Sequence, residues 1–135
     1  MRRVRPDAGG GGAALIGIGT DLVDMGRFRR SLERTPGLRA RLFRPAERAY
    51  ADLRADPTER YAVRFAAKEA VLKALGLGLG GAAMYDIEVV REPSGRPALL
   101  LHGGAAEAAS AAGVERWLLT LSHTDLVATA TAVAL

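Results

Sequence analysis

Apolar and polar positions along the chain divide its first third into a strand and a helix. The run from Leu15 to Val23 is apolar and contains glycines, which predicts a buried first strand with a close backbone neighbour. Asp24 is expected to cap a following helix, because its carboxylate can accept hydrogen bonds from the first helical amides. Phe28 and Leu32 then fall on one side of this helix.

The longest helix is predicted from Pro57 to about Leu75. Asp56 in the N-cap position and Glu59 three residues later have the arrangement of a capping box, and Pro57 suits the first helical turn. Gly76 is expected to end this helix. A shorter helix is predicted from Pro45 to about Leu53.

The second half of the chain contains more strand patterns than helix patterns. Tyr85 to Arg91 and Pro97 to Leu101 are extended runs, and the turn residues between them indicate a hairpin. The alanine-rich run from Ala105 to Ala112 predicts a short helix. Arg116 to Leu121 and Leu126 to Leu135 predict two final strands. We therefore expect an α+β fold in which a mostly antiparallel sheet packs with the long helix.

Length and composition narrow the class of protein. With 135 residues and 49% hydrophobic composition, the chain fits one domain, which we expect over residues 14–135 after a disordered Gly/Arg leader at 1–13. The chain has no cysteine, so oxygen or histidine ligands would have to hold any metal. No stretch approaches the roughly 20 apolar residues of a membrane span, and we expect a cytoplasmic protein without a membrane partner.

The formal charge of +4 raises the question of nucleic-acid binding. Three arginines and one aspartate of that total lie in Met1 to Gly12, so the leader carries +2 and the remainder carries +2. Aromatic residues are 5% of the chain and do not alternate with basic runs, as stacking platforms require. We therefore expect no nucleic-acid partner.

Charged residues are concentrated on the long helix and at the end of the first strand. Arg64 and Lys68 are four residues apart, as are Glu69 and Lys73, and a solvated helix face is the simplest interpretation of this spacing. Asp21 follows an apolar run, where a carboxylate needs a partner. Asp21 and Glu69 could together hold Mg²⁺, which accepts one or two carboxylates and completes its shell with water and substrate phosphate. Helix capping or pairing with an arginine explains Asp21 equally well.

Two further features could contribute to a site. His123 lies between the last two predicted strands, where a titratable side chain can face a cleft, although a single histidine in a turn is more often structural. The glycine-rich segment from Gly76 to Gly81 permits close approach to a phosphate. It is not a P-loop, because it ends a helix and no Lys-Ser/Thr pair follows it.

Three segments together resemble the holo-acyl-carrier-protein synthase family of 4'-phosphopantetheinyl transferases. They are GIGTDLVDMGRF at 17–28, RFAAKEAVLKALGLG at 64–78 and LSHTDLVATATAVAL at 121–135. The resemblance implies Mg²⁺-dependent transfer of phosphopantetheine from coenzyme A to a serine of an apo acyl carrier protein, with release of adenosine 3',5'-bisphosphate. It also implies a small α+β fold that forms a homotrimer, with coenzyme A bound between neighbouring subunits.

The same resemblance implies roles for individual residues. Asp21 and Glu69 match the metal-binding carboxylates, and with Lys73 they form the expected catalytic group, in which Glu69 is the candidate base. The expected coenzyme A contacts are Arg64, Lys68, Gly76, Gly78 and His123. Arg27, Arg30 and Arg34 fall where the family docks the acidic helix of the carrier protein. Leu77 stands where a threonine is common, so only backbone amides of that turn are expected to contact phosphate.

A second hypothesis is a module that binds coenzyme A or a nucleotide without transferring any group. Such a module would not require two carboxylates at the ligand. The presence of both Asp21 and Glu69 therefore favours the transferase.

Overall fold

A computed structural model describes residues 14–78 and 84–135, which form five helices and five strands. In chain order these are β1 (Gly17–Asp24), α1 (Met25–Arg34), α2 (Leu38–Leu42), α3 (Pro45–Ala51), α4 (Thr58–Ala74), β2 (Ile87–Arg91), β3 (Pro97–Leu101), α5 (Gly103–Ala111), β4 (Trp117–His123) and β5 (Val127–Ala134). All described strand pairs are antiparallel, which confirms the predicted α+β fold. The strands form two sheets instead of the single expected sheet, one in the order β1-β5-β4 and one consisting of the β2-β3 hairpin.

Helix α4 packs closely against one face of the three-stranded sheet. The buried residues of this interface are mostly alanines: Ala66, Ala67, Ala70 and Ala74 of α4, and Ala128, Ala130, Ala132 and Ala134 of β5. On β1, a Cβ atom added to Gly17 or Gly19 would lie 1.9 Å from a carbonyl oxygen of α4. Only glycine fits at these two positions, as the predicted close backbone neighbour requires.

No other described element covers the opposite face of this sheet. Its cross-strand rows are Ile18, Val133 and Leu118; then Thr20, Thr131 and Thr120; then Leu22, Thr129 and Ser122. Ile18 and Leu22 are 61% and 64% exposed, so the prediction of a buried first strand is wrong for this face. The error has a physical cause: β1 is an edge strand, and its glycines face the helix while Ile18 and Leu22 lie on the opposite face.

Hydrogen bonds at the helix ends confirm two of the predicted boundaries. The Asp24 carboxylate accepts a hydrogen bond from the Arg27 amide at 2.7 Å and caps α1. Gly76 has a φ of +68°, and the amide of Leu77 donates to the carbonyl of Leu72 at 2.9 Å, which is the usual way for a glycine to end a helix. None of the described helices is both long and apolar enough to cross a membrane.

The start of α4 differs from the prediction. Pro57 is the N-cap, and the Asp56 carboxylate accepts a hydrogen bond from the amide of Thr58 at 3.1 Å. Glu59 makes no hydrogen bond back to the helix start, so the predicted capping box is absent. Its carboxylate instead lies 3.0 Å from the ring of His123, on the last part of β4.

Candidate functional site

Asp21, Glu69 and Lys73 line one groove between β1, α1 and α4, with a volume of about 650 Å³. Asp21 lies on β1, and the other two residues lie one turn apart on α4. The Lys73 ammonium donates hydrogen bonds to the Asp21 carboxylate at 3.0 Å and to the Thr20 carbonyl at 2.8 Å. The close contact of strand and helix at Gly19 therefore brings together side chains that are far apart in sequence.

The electrostatics of this groove favour a hard cation. The pKa of Glu69 is raised, chiefly because partial burial removes water from the carboxylate and next because the Asp21 carboxylate is near, while Lys73 opposes the rise. The groove lining contains three carboxylates, Asp21, Asp24 and Glu69, and two cations, Arg27 and Lys73, so negative charge is in excess. Among the described residues no cluster of three potential metal ligands occurs. Asp21 and Glu69 therefore fit an ion such as Mg²⁺, which leaves most of its coordination to water and substrate oxygens.

Arg64 and His123 lie in a second pocket of about 510 Å³. Its lining is rich in arginine: Arg54, Arg60, Arg64, Arg91 and Arg96. The carboxylate among the lining residues is Glu59, whose Oε1 lies 3.0 Å from His123 Nε2 and 4.0 Å from an Arg54 nitrogen. Within a single chain, the predicted coenzyme A contacts Arg64 and His123 therefore lie in a different pocket from Asp21 and Glu69.

Tyr50 of α3 organises this arginine pocket. The guanidinium carbons of Arg60, Arg64 and Arg91 lie 4.0, 4.5 and 4.8 Å from the centre of its ring. Arg60 also donates to the Tyr50 carbonyl oxygen at 2.7 Å, and Arg91 donates to the phenolic oxygen. Neither Tyr50 nor Glu59 was identified as a site residue from sequence. Tyr50 is separated from these arginines by 10 to 41 residues, so no local spacing indicates the contact.

Comparison with known proteins assigns the family. The sequence profile described as the 4'-phosphopantetheinyl transferase superfamily matches residues 17–131. The chain belongs to this superfamily. The match includes the segments that carry Asp21, Glu69, Lys73 and His123.

Named members of the superfamily align over most of the chain. A holo-[acyl-carrier-protein] synthase of Clavibacter sepedonicus is 53% identical over 114 residues, which are 84% of this chain and 90% of that protein. The solved holo-[acyl-carrier-protein] synthase of Neisseria meningitidis has a TM-score of 0.80 at 30% identity, covering 90% of this chain and 98% of that one. The Helicobacter pylori synthase, solved in complex with coenzyme A, has a TM-score of 0.75 at 26% identity, covering 87% and 99%.

Lys68 of this transferase is part of the core and not of either pocket. It has no exposed surface, and its ammonium bonds to the Glu47 carboxylate at 2.8 Å, to the Met84 carbonyl at 3.0 Å and to the Ile87 carbonyl. All three of its protons are therefore used by the protein. Burial lowers the pKa of Lys68, and the Glu47 charge opposes this shift. The prediction that Lys68 contacts coenzyme A is corrected: Lys68 ties α4 to α3 and to the start of β2.

The simple interpretation of the α4 charges as one solvated face is also wrong. Arg64 is only 5% exposed and Lys68 is fully buried, because α3 and the β2-β3 hairpin cover this part of the helix. By contrast, Lys73 is exposed and lies at the groove.

The remaining predicted residues of the transferase lie around the first groove. Arg27 and Gly78 line it, and so does Leu77. Arg30 and Arg34 lie on the exposed side of α1, whose buried side carries Phe28 and Leu32. Gly76 forms the turn that leads to Gly78, and residues 79–81 of the predicted glycine-rich segment lie outside the described residues.

Proposed function

We propose that this protein transfers the 4'-phosphopantetheine group of coenzyme A to a serine of an apo acyl carrier protein and releases adenosine 3',5'-bisphosphate. The observation that carries the proposal is the meeting of Asp21, Glu69 and Lys73 in one groove of a chain that belongs to the transferase superfamily. A relative with 53% identity is named for this activity, and a similarly folded synthase was solved with coenzyme A.

The residues of the groove suit the chemistry of this transfer. The serine oxygen forms a bond to the phosphorus of the pantetheine phosphate, while the bond from that phosphorus to the bridging oxygen breaks. Lys73 places positive charge in the groove, where it stabilises the negative charge that the leaving group acquires. Glu69 is our candidate for the base that accepts the serine proton, since it lies in the groove beside Asp21 and Lys73.

We include Mg²⁺ in the proposal, held by Asp21 and Glu69. The support is the donor set: two oxygen ligands in a groove with excess negative charge. When bound, the ion supplies Lewis-acid stabilisation to the pyrophosphate of coenzyme A. The turn after α4 borders the same groove at Leu77 and Gly78; the amides of Gly76 and Leu77 donate to carbonyls of α4, so the Gly78 amide is the one that we propose contacts a phosphate oxygen.

We also propose that the active unit is a homotrimer with coenzyme A bound between neighbouring subunits. Coenzyme A has two anionic parts, its pyrophosphate and its 3'-phosphate, and one chain has two separate pockets for them. The first contains Lys73 and the proposed Mg²⁺ ligands, and the second is lined by arginines. In this arrangement the arginine pocket of one subunit, with Arg64 and His123, receives the 3'-phosphate of a molecule whose pyrophosphate lies at Asp21 and Glu69 of another. The uncovered sheet face around Ile18 supplies apolar surface for such an assembly.

The carrier protein is proposed to dock on α1. Arg27, Arg30 and Arg34 are exposed there, and Arg27 lines the groove that holds the two carboxylates. A stripe of arginines attracts an acidic partner and accelerates association. Docking at this position brings a carrier serine to the groove.

The direct test combines purified protein, coenzyme A, Mg²⁺ and several apo carrier proteins, with mass spectrometry of the carrier. We expect a gain of one phosphopantetheine, and no gain with any carrier would refute the proposal. Asp21→Asn and Glu69→Gln should abolish the gain while circular dichroism shows a folded protein. Glu107→Gln, an exposed change on α5, is the matched control and should transfer normally. Transfer that persists after chelation of divalent ions would remove Mg²⁺ from the proposal.

A further inference from the structure

Tyr50 contacts three arginine side chains through three of its chemical groups: the ring, the backbone carbonyl and the phenolic oxygen. Its ring lies beneath the guanidinium groups of Arg60, Arg64 and Arg91, its carbonyl oxygen binds Arg60, and its phenolic oxygen binds Arg91. These side chains come from α3, α4 and β2. One residue of α3 therefore fixes the relative positions of cations that α4 and β2 supply.

The protein itself leaves this charge unbalanced. Within residues 14–78 and 84–135, no ion pair within 4.0 Å joins any of the three arginines to a carboxylate. Glu59, the carboxylate of the pocket lining, faces His123 and Arg54 instead. Cations grouped on one ring repel each other, so the arrangement is suited to an anion that binds among them.

Arg64 provides a second, independent observation. The residue is 95% buried, yet its Nε has no hydrogen-bond partner among the described residues, while its Nη1 donates to the Arg60 carbonyl at 3.2 Å. Burial lowers the pKa of the Arg64 guanidinium; the nearby Tyr50 and Glu47 oppose this, whereas Arg60 and Arg91 add to it. Buried polar groups are normally satisfied, and this exception lies in the arginine pocket.

We propose that Tyr50 is a positioning residue that holds Arg60, Arg64 and Arg91 in place to bind the 3'-phosphate of coenzyme A. The proposal rests on the proposed function and adds a residue that the motifs of the sequence do not include. A phosphate monoester is compact and carries close to two negative charges, so it binds more tightly to guanidinium groups that are already held around one point. Tyr50 itself touches the arginines and acts on the phosphate through them.

The test compares coenzyme A with dephospho-coenzyme A, which lacks the 3'-phosphate, as donors in the transfer assay. Tyr50→Leu removes the ring and the phenolic oxygen; we expect the KM for coenzyme A to rise roughly tenfold, while the KM for dephospho-coenzyme A and kcat change less than about threefold. Tyr50→Phe keeps the ring, and a rise of about two- to threefold in the KM for coenzyme A alone is expected.

The matched control is Tyr85→Leu, which removes a ring from beneath Arg44, 4.5 Å away and outside the arginine pocket. It should leave both KM values unchanged. Equal rises for both donors in Tyr50→Leu would show a general loss of structure and overturn the proposal. If Tyr50→Leu does not fold, Tyr50→Phe decides, and an unchanged ratio of the two KM values overturns it. Transfer by the unaltered protein with equal KM for both donors overturns this inference alone, whereas no transfer from either donor refutes the proposed function.

Discussion

The substitution Gly19→Ala tests how strictly the two carboxylates depend on the contact between β1 and α4. A Cβ at residue 19 would lie 1.9 Å from the carbonyl oxygen of Ala70 and 2.8 Å from the amide nitrogen of Ala74. Both are backbone atoms, so no side-chain rotation relieves the overlap. The gap has to widen from 1.9 Å to at least 3.0 Å, the shortest separation that real Cβ atoms show. Strand and helix must therefore separate by about one ångström.

This movement affects activity more than stability. Overpacking of a core contact by one methyl group costs about 1 to 3 kcal/mol, which a folded domain of this size can tolerate. Asp21 lies two residues from Gly19 on β1, and Glu69 precedes Ala70 on α4, so the separation of the elements moves the two carboxylates apart. A misplacement of about 1 Å can reduce the rate of a catalysed reaction on the order of a hundredfold.

The assay measures kcat/KM for transfer to an apo carrier protein together with the free energy of unfolding in urea. Gly37→Ala is the matched control, because a Cβ at that position meets nothing within 4 Å and its φ of −75° suits alanine. This control should keep full activity and gain up to about 1 kcal/mol of stability. A Gly19→Ala protein that is folded and as active as the control would refute the reasoning that links this contact to the site.

Three further results are expected. Because the pKa of Glu69 is raised in the folded protein, its carboxylate destabilises the fold at pH values above the ordinary glutamate pKa of 4.5 and has no such effect below it. The free energy of unfolding of Glu69→Gln should therefore exceed that of the unaltered protein by an amount that grows as the pH rises above 4.5. A difference that does not change with pH would contradict the raised pKa. Lys68→Met leaves the buried Glu47 charge unpaired and should lower the free energy of unfolding in urea by about 3 to 5 kcal/mol. In a protein that already carries Glu47→Gln, the same substitution should cost less, and an equal loss in both backgrounds would show that Lys68 and Glu47 are not energetically coupled. Arg27→Glu should raise the KM for the carrier protein at least about fivefold and leave that for coenzyme A unchanged, whereas Arg116→Glu, exposed before β4, should alter neither.

Elements set by local sequence signals were predicted well. The Asp24 cap, the Gly76 stop and the hairpin each depend on residues within a few positions of one another, and the structure has all three. The start of α4 was predicted less well, because Glu59 makes a tertiary contact with His123 that competes with the local capping box.

Properties that depend on distant neighbours could not be inferred from the sequence pattern. In β1 the apolar residues Ile18 and Leu22 point away from α4, and the close approach of the helix leaves room only for glycine at residues 17 and 19 of the inner side. The spacing of Arg64 and Lys68 predicts that they share one face of α4, but it does not indicate which other elements of the fold cover that face. The resemblance assigned Arg64, His123 and Asp21 to a coenzyme A site between subunits without saying which subunit supplies each residue, and one chain holds them in separate pockets.

The alanine interface between α4 and β5 has a consequence for how this protein tolerates change. An alanine side chain has no rotamer to fix, so ordering this interface costs only backbone entropy, and the two elements meet at a single spacing. Ala70 and Ala132 have no exposed surface, so a larger residue at either position would force α4 and β5 apart, and a smaller one would loosen the contact. In a saturation-mutagenesis library these inner positions should accept almost no replacement, whereas the outward residues Thr20 and Thr131 of the same sheet should vary more freely.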